Sequence, residues 1–174
     1  SAQILARFFA DVVVNEPLCV QIECGTNDIA DNDGEQRTNE EILANVRTMA
    51  EKAVSKGIKV IIASVLPSTD MWWKDDAWKE EFNPGVPQRI IELNEMLKAY
   101  AEENGFGYAD YHTALKDENN GLKKEYQVDA VHPNLAGFKV MEAIFLQVLE
   151  QTLHPNAATP GDGQLDNFDK EEWN

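Results

Sequence analysis

Two short polar clusters hold the residues whose types and spacing suit chemistry. The later one is Asp129-Ala130-Val131-His132-Pro133-Asn134. An aspartate three residues before a histidine can fix one imidazole nitrogen and leave the other free as a general base. Its charge also stabilises the imidazolium that forms during reaction. Taken alone, the Asp-x-x-His spacing fits a surface aspartate beside a helix-capping histidine better than a catalytic pair. The earlier cluster is Gly25-Thr26-Asn27-Asp28. There the Asn27 side-chain amide can donate to a developing oxyanion, although Gly, Asn and Asp are also ordinary turn residues. Asp28 reads as a local turn or cap group. His112, expected at the end of a strand, and His154, near the end of the chain, have no positioned carboxylate.

The elements around these clusters must bring them to one place. Leu18 to Cys24 alternates Val20, Ile22 and Cys24 with Cys19, Gln21 and Glu23, the two-residue period of a strand. Gly25 then turns the backbone, which puts Asn27 at a strand's carboxyl end, where open α/β sheets bind their ligands. Before it, Ile4, Leu5, Phe8, Phe9, Val12 and Val13 give Ser1 to Val14 a helical stripe that Pro17 closes. After a polar loop from Ile29 to Arg37, Thr38 and Glu41 form a capping-box pattern opening a helix that Gly57 ends. Lys59 to Leu66 is a nearly continuous apolar run, suited to a parallel strand covered on both faces.

Pro67 to Pro84 reads as a long loop with Trp72, Trp73, Trp78 and Phe82 among charges, too aromatic for disorder. A third helix from Pro87 to Asn104, a short strand from Phe106 to Tyr111 and a polar excursion from Lys116 to Tyr126 follow. The last helix is capped by Asn134 and faces inward with Met141, Ile144, Phe145, Val148 and Leu149. The alternation of helix and strand implies an α/β protein with parallel strands and helices on both faces. Residues 1–153 are expected to form this domain and 154–174 an acidic tail. Asp162 to Asp166 faintly matches part of a calcium loop, but that register puts Ala158 and Pro160 at ligand positions. No metal or cofactor is expected.

The 174-residue chain has a formal net charge of −16, which opposes binding to nucleic acid, where affinity comes from neutralised phosphates, or to anionic lipid. No run is long and apolar enough to span a bilayer, and no signal peptide is visible. Cys19 and Cys24 sit on opposite faces of one strand, so a disulfide between them is not expected. Two thiols leave the compartment open, secreted or periplasmic included.

Gly25-Thr26-Asn27-Asp28 after a strand, joined to Asp129-Ala130-Val131-His132-Pro133 before the last helix, resembles the SGNH (GDSL-like) hydrolases. The resemblance extends over the order of elements from Ser1 to about Leu153. It implies a three-layer α/β/α sandwich of flavodoxin-like type and hydrolysis of esters, often acyl or acetyl groups on lipids or carbohydrates. It makes Asn27 the oxyanion donor, His132 the general base and Asp129 its orienter. The sequence departs from that pattern in one respect: it has no Gly-Asp-Ser nucleophile motif. Chain order places that motif upstream of Ser1, so the first two strands are expected to be missing from this chain. The edge left open would be completed by a second chain, a longer natural product or a swapped partner.

Of Ser1, Ser55, Ser64 and Ser68, none has the context of an activated nucleophile. Gly25, Thr26, Trp72 and Trp73 are the expected substrate contacts. Two other readings remain. In one, the same scaffold is a non-catalytic carbohydrate-binding module using its tryptophans. The weaker one is a receiver or nucleotide-binding domain, which lacks a glycine-rich phosphate loop and leaves Asp-x-x-His unexplained.

Overall fold

A computed structural model describes residues 1–35 and 37–155. The tail and its calcium-loop likeness therefore lie outside the described residues, apart from the first two positions. Three parallel strands, β1 (Cys19–Ile22), β2 (Lys59–Ala63) and β3 (Gly107–Ala109), form a sheet in the order β1-β2-β3. Cys19 pairs with Lys59 and Ile61 with Gly107. The helices are α1 (Ala2–Asp11), α2 (Thr26–Ile29), α3 (Asn39–Val54), α4 (Asp76–Phe82), α5 (Val86–Asn104), α6 (Tyr111–Leu115) and α7 (Leu135–Leu153).

Strand alternation sorts the core into two layers. Val60 and Ile62 of β2 join Ile22, α1, α3 and α5 on one face, and Ile61 and Ala63 join Ala109, Tyr111, Leu115 and Met141 on the other. This is the three-layer α/β/α arrangement expected of buried parallel strands. Cys19 packs into the second layer and Cys24 into the first, and both are free. On its other side β1 has no strand partner among the described residues.

Local signals set most helix ends. The Thr38 hydroxyl accepts from the Glu41 amide while the Glu41 carboxylate accepts from the Thr38 amide, so the capping box is complete. Two orphan amides at the start of α3 are thereby satisfied. Thr38→Ala is expected to lower stability by about 1 kcal/mol, read as a lower urea midpoint at an unchanged slope. An unmoved midpoint would remove the box from the account. Gly57 and Gly105 both adopt positive φ, 75° and 67°, just past the ends of α3 and α5, a conformation that glycine takes at no steric cost.

Three segments differ from the sequence expectation. The first helix stops at Asp11 and continues as a 3₁₀ turn over Val13–Asn15. The tryptophan segment is not one long loop, because Asp75 caps α4 by accepting from the Trp78 amide. The strand after α5 is only three residues long, and Asp110 caps α6 directly behind it. His112 therefore lies buried in α6 rather than at a strand end.

Candidate active site

The two clusters reach the same end of the sheet by different routes. β1 ends at Ile22, and Gly25 turns the chain with φ 136° into α2, whose first turn carries Thr26 and Asn27. α7 runs antiparallel to the strands. A side chain added at Gly107, the start of β3, would strike Thr152 and Val148 in the last turns of α7. Met141, near the other end of α7, packs with Tyr111 and Leu115, which follow the carboxyl end of β3. The start of α7 and His132 thus lie toward the carboxyl ends of the strands, as Asn27 does.

Asp129 and His132 are in direct contact. Asp129 Oδ2 lies 2.8 Å from His132 Nδ1, and Oδ1 accepts from the amides of Val131 and His132, each at 2.8 Å. Partial burial alone would raise the Asp129 pKa. It is outweighed by the His132 amide and imidazole and the Val131 amide, so the carboxyl sits below its usual range. A carboxylate on Nδ1 selects the tautomer that leaves Nε2 as acceptor, as a general base requires. The loop beneath is hydrogen-bonded to itself. Val128 donates to the His132 carbonyl and Asn134 to the Tyr126 carbonyl, both at 2.8 Å. The Asn134 side chain then caps α7 through the amides of Ala136 and Gly137.

Asn27 is exposed, and its side-chain Oδ1 accepts from Asn32 Nδ2 at 2.8 Å. Among the described residues its Nδ2 has no partner. Beside it lies a cavity of about 290 Å³ lined by Glu23, Cys24, Gly25, Thr26, Asn27 and Val65 among others. Asp129 and His132 do not line that cavity, and no hydrogen bond joins them to Asn27. Asp28 is buried at 2 % exposure, accepts from the Ser1 hydroxyl at 2.8 Å and lies 3.6 Å from Arg37 Nη1. It ties the turn carrying Asn27 to α1 and to the loop before α3, a structural part played through these longer-range contacts rather than through the local turn or cap bonds expected from sequence.

The tryptophans divide. Trp72 is exposed, whereas Trp73 is half-buried and its Nε1 donates to Asn32 Oδ1 at 2.8 Å. Trp78 Nε1 donates to Asp31 Oδ2 at 3.1 Å. The tryptophan segment is thus attached to the turn just after Asn27, a link of 41 residues that no sequence period signals. Gln21 on β1 accepts from the Tyr111 hydroxyl at 2.6 Å.

Among the described residues no serine hydroxyl is hydrogen-bonded to His132. The Ser1 hydroxyl is engaged with Asp28, Ser55 with the Lys52 carbonyl, Ser64 with the His112 amide and Ser68 with Asp70. Desolvation pushes the Cys24 thiol up to about 12, which removes it as a thiolate near neutral pH. Burial lowers the His112 pKa, and its Nε2 has no described partner. Among the described residues no group of three or more His, Cys, Asp or Glu could hold a metal ion. None of the described helices is long and apolar enough to cross a membrane.

No curated protein matches the sequence. A solved GDSL-like lipase from Bacteroides thetaiotaomicron is 36% identical, with 86% of this chain and 70% of that one covered and a TM-score of 0.78. A solved acylhydrolase from Bacteroides fragilis is 35% identical over 87% of this chain and 70% of that one, with a TM-score of 0.79. A lipolytic protein of the G-D-S-L family from Desulfitobacterium hafniense is 28% identical over 84% and 74%, at a TM-score of 0.68. The model of the GDSL-like lipase/acylhydrolase family matches residues 1–140, and with this sheet and these relatives the chain belongs to that family.

Proposed function

We propose that this chain supplies the base and oxyanion half of a serine ester hydrolase acting on acyl or acetyl esters of small molecules, carbohydrates or lipids. One observation carries the reading: an exposed imidazole held through Nδ1 by Asp129 at 2.8 Å, at the sheet end where Asn27 Nδ2 has no partner among the described residues. In the proposed reaction a serine attacks the ester carbonyl as His132 Nε2 takes its proton. Asn27 Nδ2 donates to the oxyanion, and the imidazolium beside Asp129 returns the proton to the leaving alcohol. Water then repeats the sequence on the acyl-enzyme. Gly25 and Thr26, which line the cavity beside Asn27, and Trp72 and Trp73 are the proposed substrate contacts. The hydrolase domain is taken as residues 1–153 and the acidic tail as 154–174.

The serine is assigned to a further segment paired along the free edge of β1. A groove of about 200 Å³ between α1 and the β1 segment, lined by Phe8, Val12, Val20 and Ile22 together with the polar Arg7, Asp11, Gln21 and Glu23, supports the assignment. An unpaired strand edge templates pairing with other chains. At micromolar concentration this chain alone is therefore expected to elute from size exclusion as associated species by light scattering. A compact monomer would overturn the assignment.

The complete protein, meaning this chain with its nucleophile segment, is expected to hydrolyse p-nitrophenyl acetate. Carbohydrate quenching of tryptophan fluorescence without any ester turnover would instead favour a binding module, for which the exposed Trp72 is the supporting feature.

A further inference from the structure

We propose that Asn32 and Trp73 are positioning residues that fix which end of the Asn27 carboxamide faces the substrate; this rests on the reading of Asn27 as oxyanion donor. The two ends of a carboxamide have opposite effects there. Nδ2 donates to a developing oxyanion, whereas Oδ1 would repel it. Rotation about the last side-chain bond exchanges them, so the hydrogen-bond network decides.

The network here has a direction. The Trp73 indole N–H can only donate, and it donates to Asn32 Oδ1 at 2.8 Å. Asn32 must therefore turn its NH₂ the other way, where it donates to Asn27 Oδ1 at 2.8 Å. With its oxygen engaged, Asn27 leaves Nδ2 without a partner among the described residues. The polarity of the site is thus set by a group whose own polarity cannot reverse.

The geometry is held at several points. The Asn32 amide donates to the Asn27 carbonyl at 3.0 Å, which closes the turn. Asp31 between them adopts φ 49°. Its carbonyl accepts from Lys74 Nζ at 3.1 Å and its carboxylate from Trp78 Nε1 at 3.1 Å. Trp72 stands edge-on to Trp73, with ring centroids 5.8 Å apart and planes at 86°. The aromatic segment therefore grips both residues that follow the turn, and through Asn32 it reaches the catalytic amide.

Asn32→Asp is the decisive variant, since it keeps the side-chain shape and exchanges the donor for a second acceptor. The carboxylate can still accept from Trp73, but toward Asn27 it now attracts Nδ2 and reverses the amide. In the complete protein kcat for p-nitrophenyl acetate is expected to fall about 10²-fold, comparable to loss of one oxyanion donor, with KM little changed. Trp73→Phe removes the indole donor along with part of the ring that packs on Trp72 and the core, and should lower kcat by roughly 5–10-fold. The double variant should be no slower than Asn32→Asp alone, because both act through one amide. Each variant's melting temperature is measured beside its kinetics.

Asn27→Ala separates the two claims. If Asn27→Ala lowers kcat while Asn32→Asp leaves it unchanged, the positioning role is wrong and the oxyanion reading stands. If Asn27→Ala leaves kcat unchanged, the oxyanion reading itself fails and the positioning role falls with it. Multiplicative losses in the double variant would also overturn the single-chain account.

Discussion

Replacing His132 by alanine is expected to lower kcat/KM of the complete protein for p-nitrophenyl acetate by about 10²–10⁴-fold, the usual contribution of a positioned acid–base group. The loss should fall on kcat, because the imidazole moves protons in the transition state and contributes little to holding the ester. The side chain of His132 is 63% exposed, so its removal should change folding stability by less than about 0.5 kcal/mol. Loss of activity without loss of structure is therefore the signature. Asp129→Asn should also lower kcat, because an amide no longer selects the tautomer with Nε2 free.

The pH dependence of the pair follows from the lowered Asp129 pKa. A carboxyl whose folded pKa is depressed contributes stability above its unfolded value and loses it as pH falls through the folded one. The hold on His132 and on the amides of Val131 and His132 should thus persist through mildly acidic pH. Full activity in the His132→Ala protein would end the assignment of the base.

Gly25→Ala is expected to destabilise the protein by about 2–5 kcal/mol, adding a side chain at positive φ to an overpacked contact. Gly25 has φ 136°, and an added Cβ would lie 2.7 Å from Val65 Cγ2 and 3.0 Å from Leu93 Cδ2. Val65 and Leu93 are both buried, and Val65 is stiff at its first side-chain torsion, so neither can withdraw cheaply. The melting temperature should drop by roughly 5–15 °C for a chain of this size. Gly85→Ala is the control. A Cβ at Gly85 meets nothing within 4 Å, and the change should cost less than about 1 kcal/mol. Equal melting temperatures for the two variants would show that the turn after β1 does not need glycine. Because Gly25 sets the path into α2, the surviving folded fraction should also show a lower kcat.

Much of this architecture could be read from short-range patterns. The capping box at Thr38 and Glu41, the Asn134 cap and the glycines at 57 and 105 are signals within a few residues, and the structure reproduces each. The opposite-facing cysteines follow from strand alternation alone. What escaped lacks a period. Helix α4 has no buried residue, so no apolar stripe marks it, and α6 spans only five positions. The Asp129–His132 contact was legible because its partners are three apart. The links from Trp73 to Asn32 and from Tyr111 to Gln21 span 41 and 90 residues. Side-chain hydrogen bonds over such separations leave no trace in a single sequence. They exist only once β1, the tryptophan segment before α4, and α6 are in place.

The central claim is that Asn27 and His132 serve one reacting ester. The most direct measurement is a crystal structure of the complete protein after inactivation by a phosphonate ester that mimics the tetrahedral intermediate. The account requires the phosphoryl oxygen within hydrogen-bond distance of Asn27 Nδ2 and His132 Nε2 within reach of the nucleophile or leaving-group oxygen. An adduct formed elsewhere, or one that leaves either side chain out of reach, would contradict it.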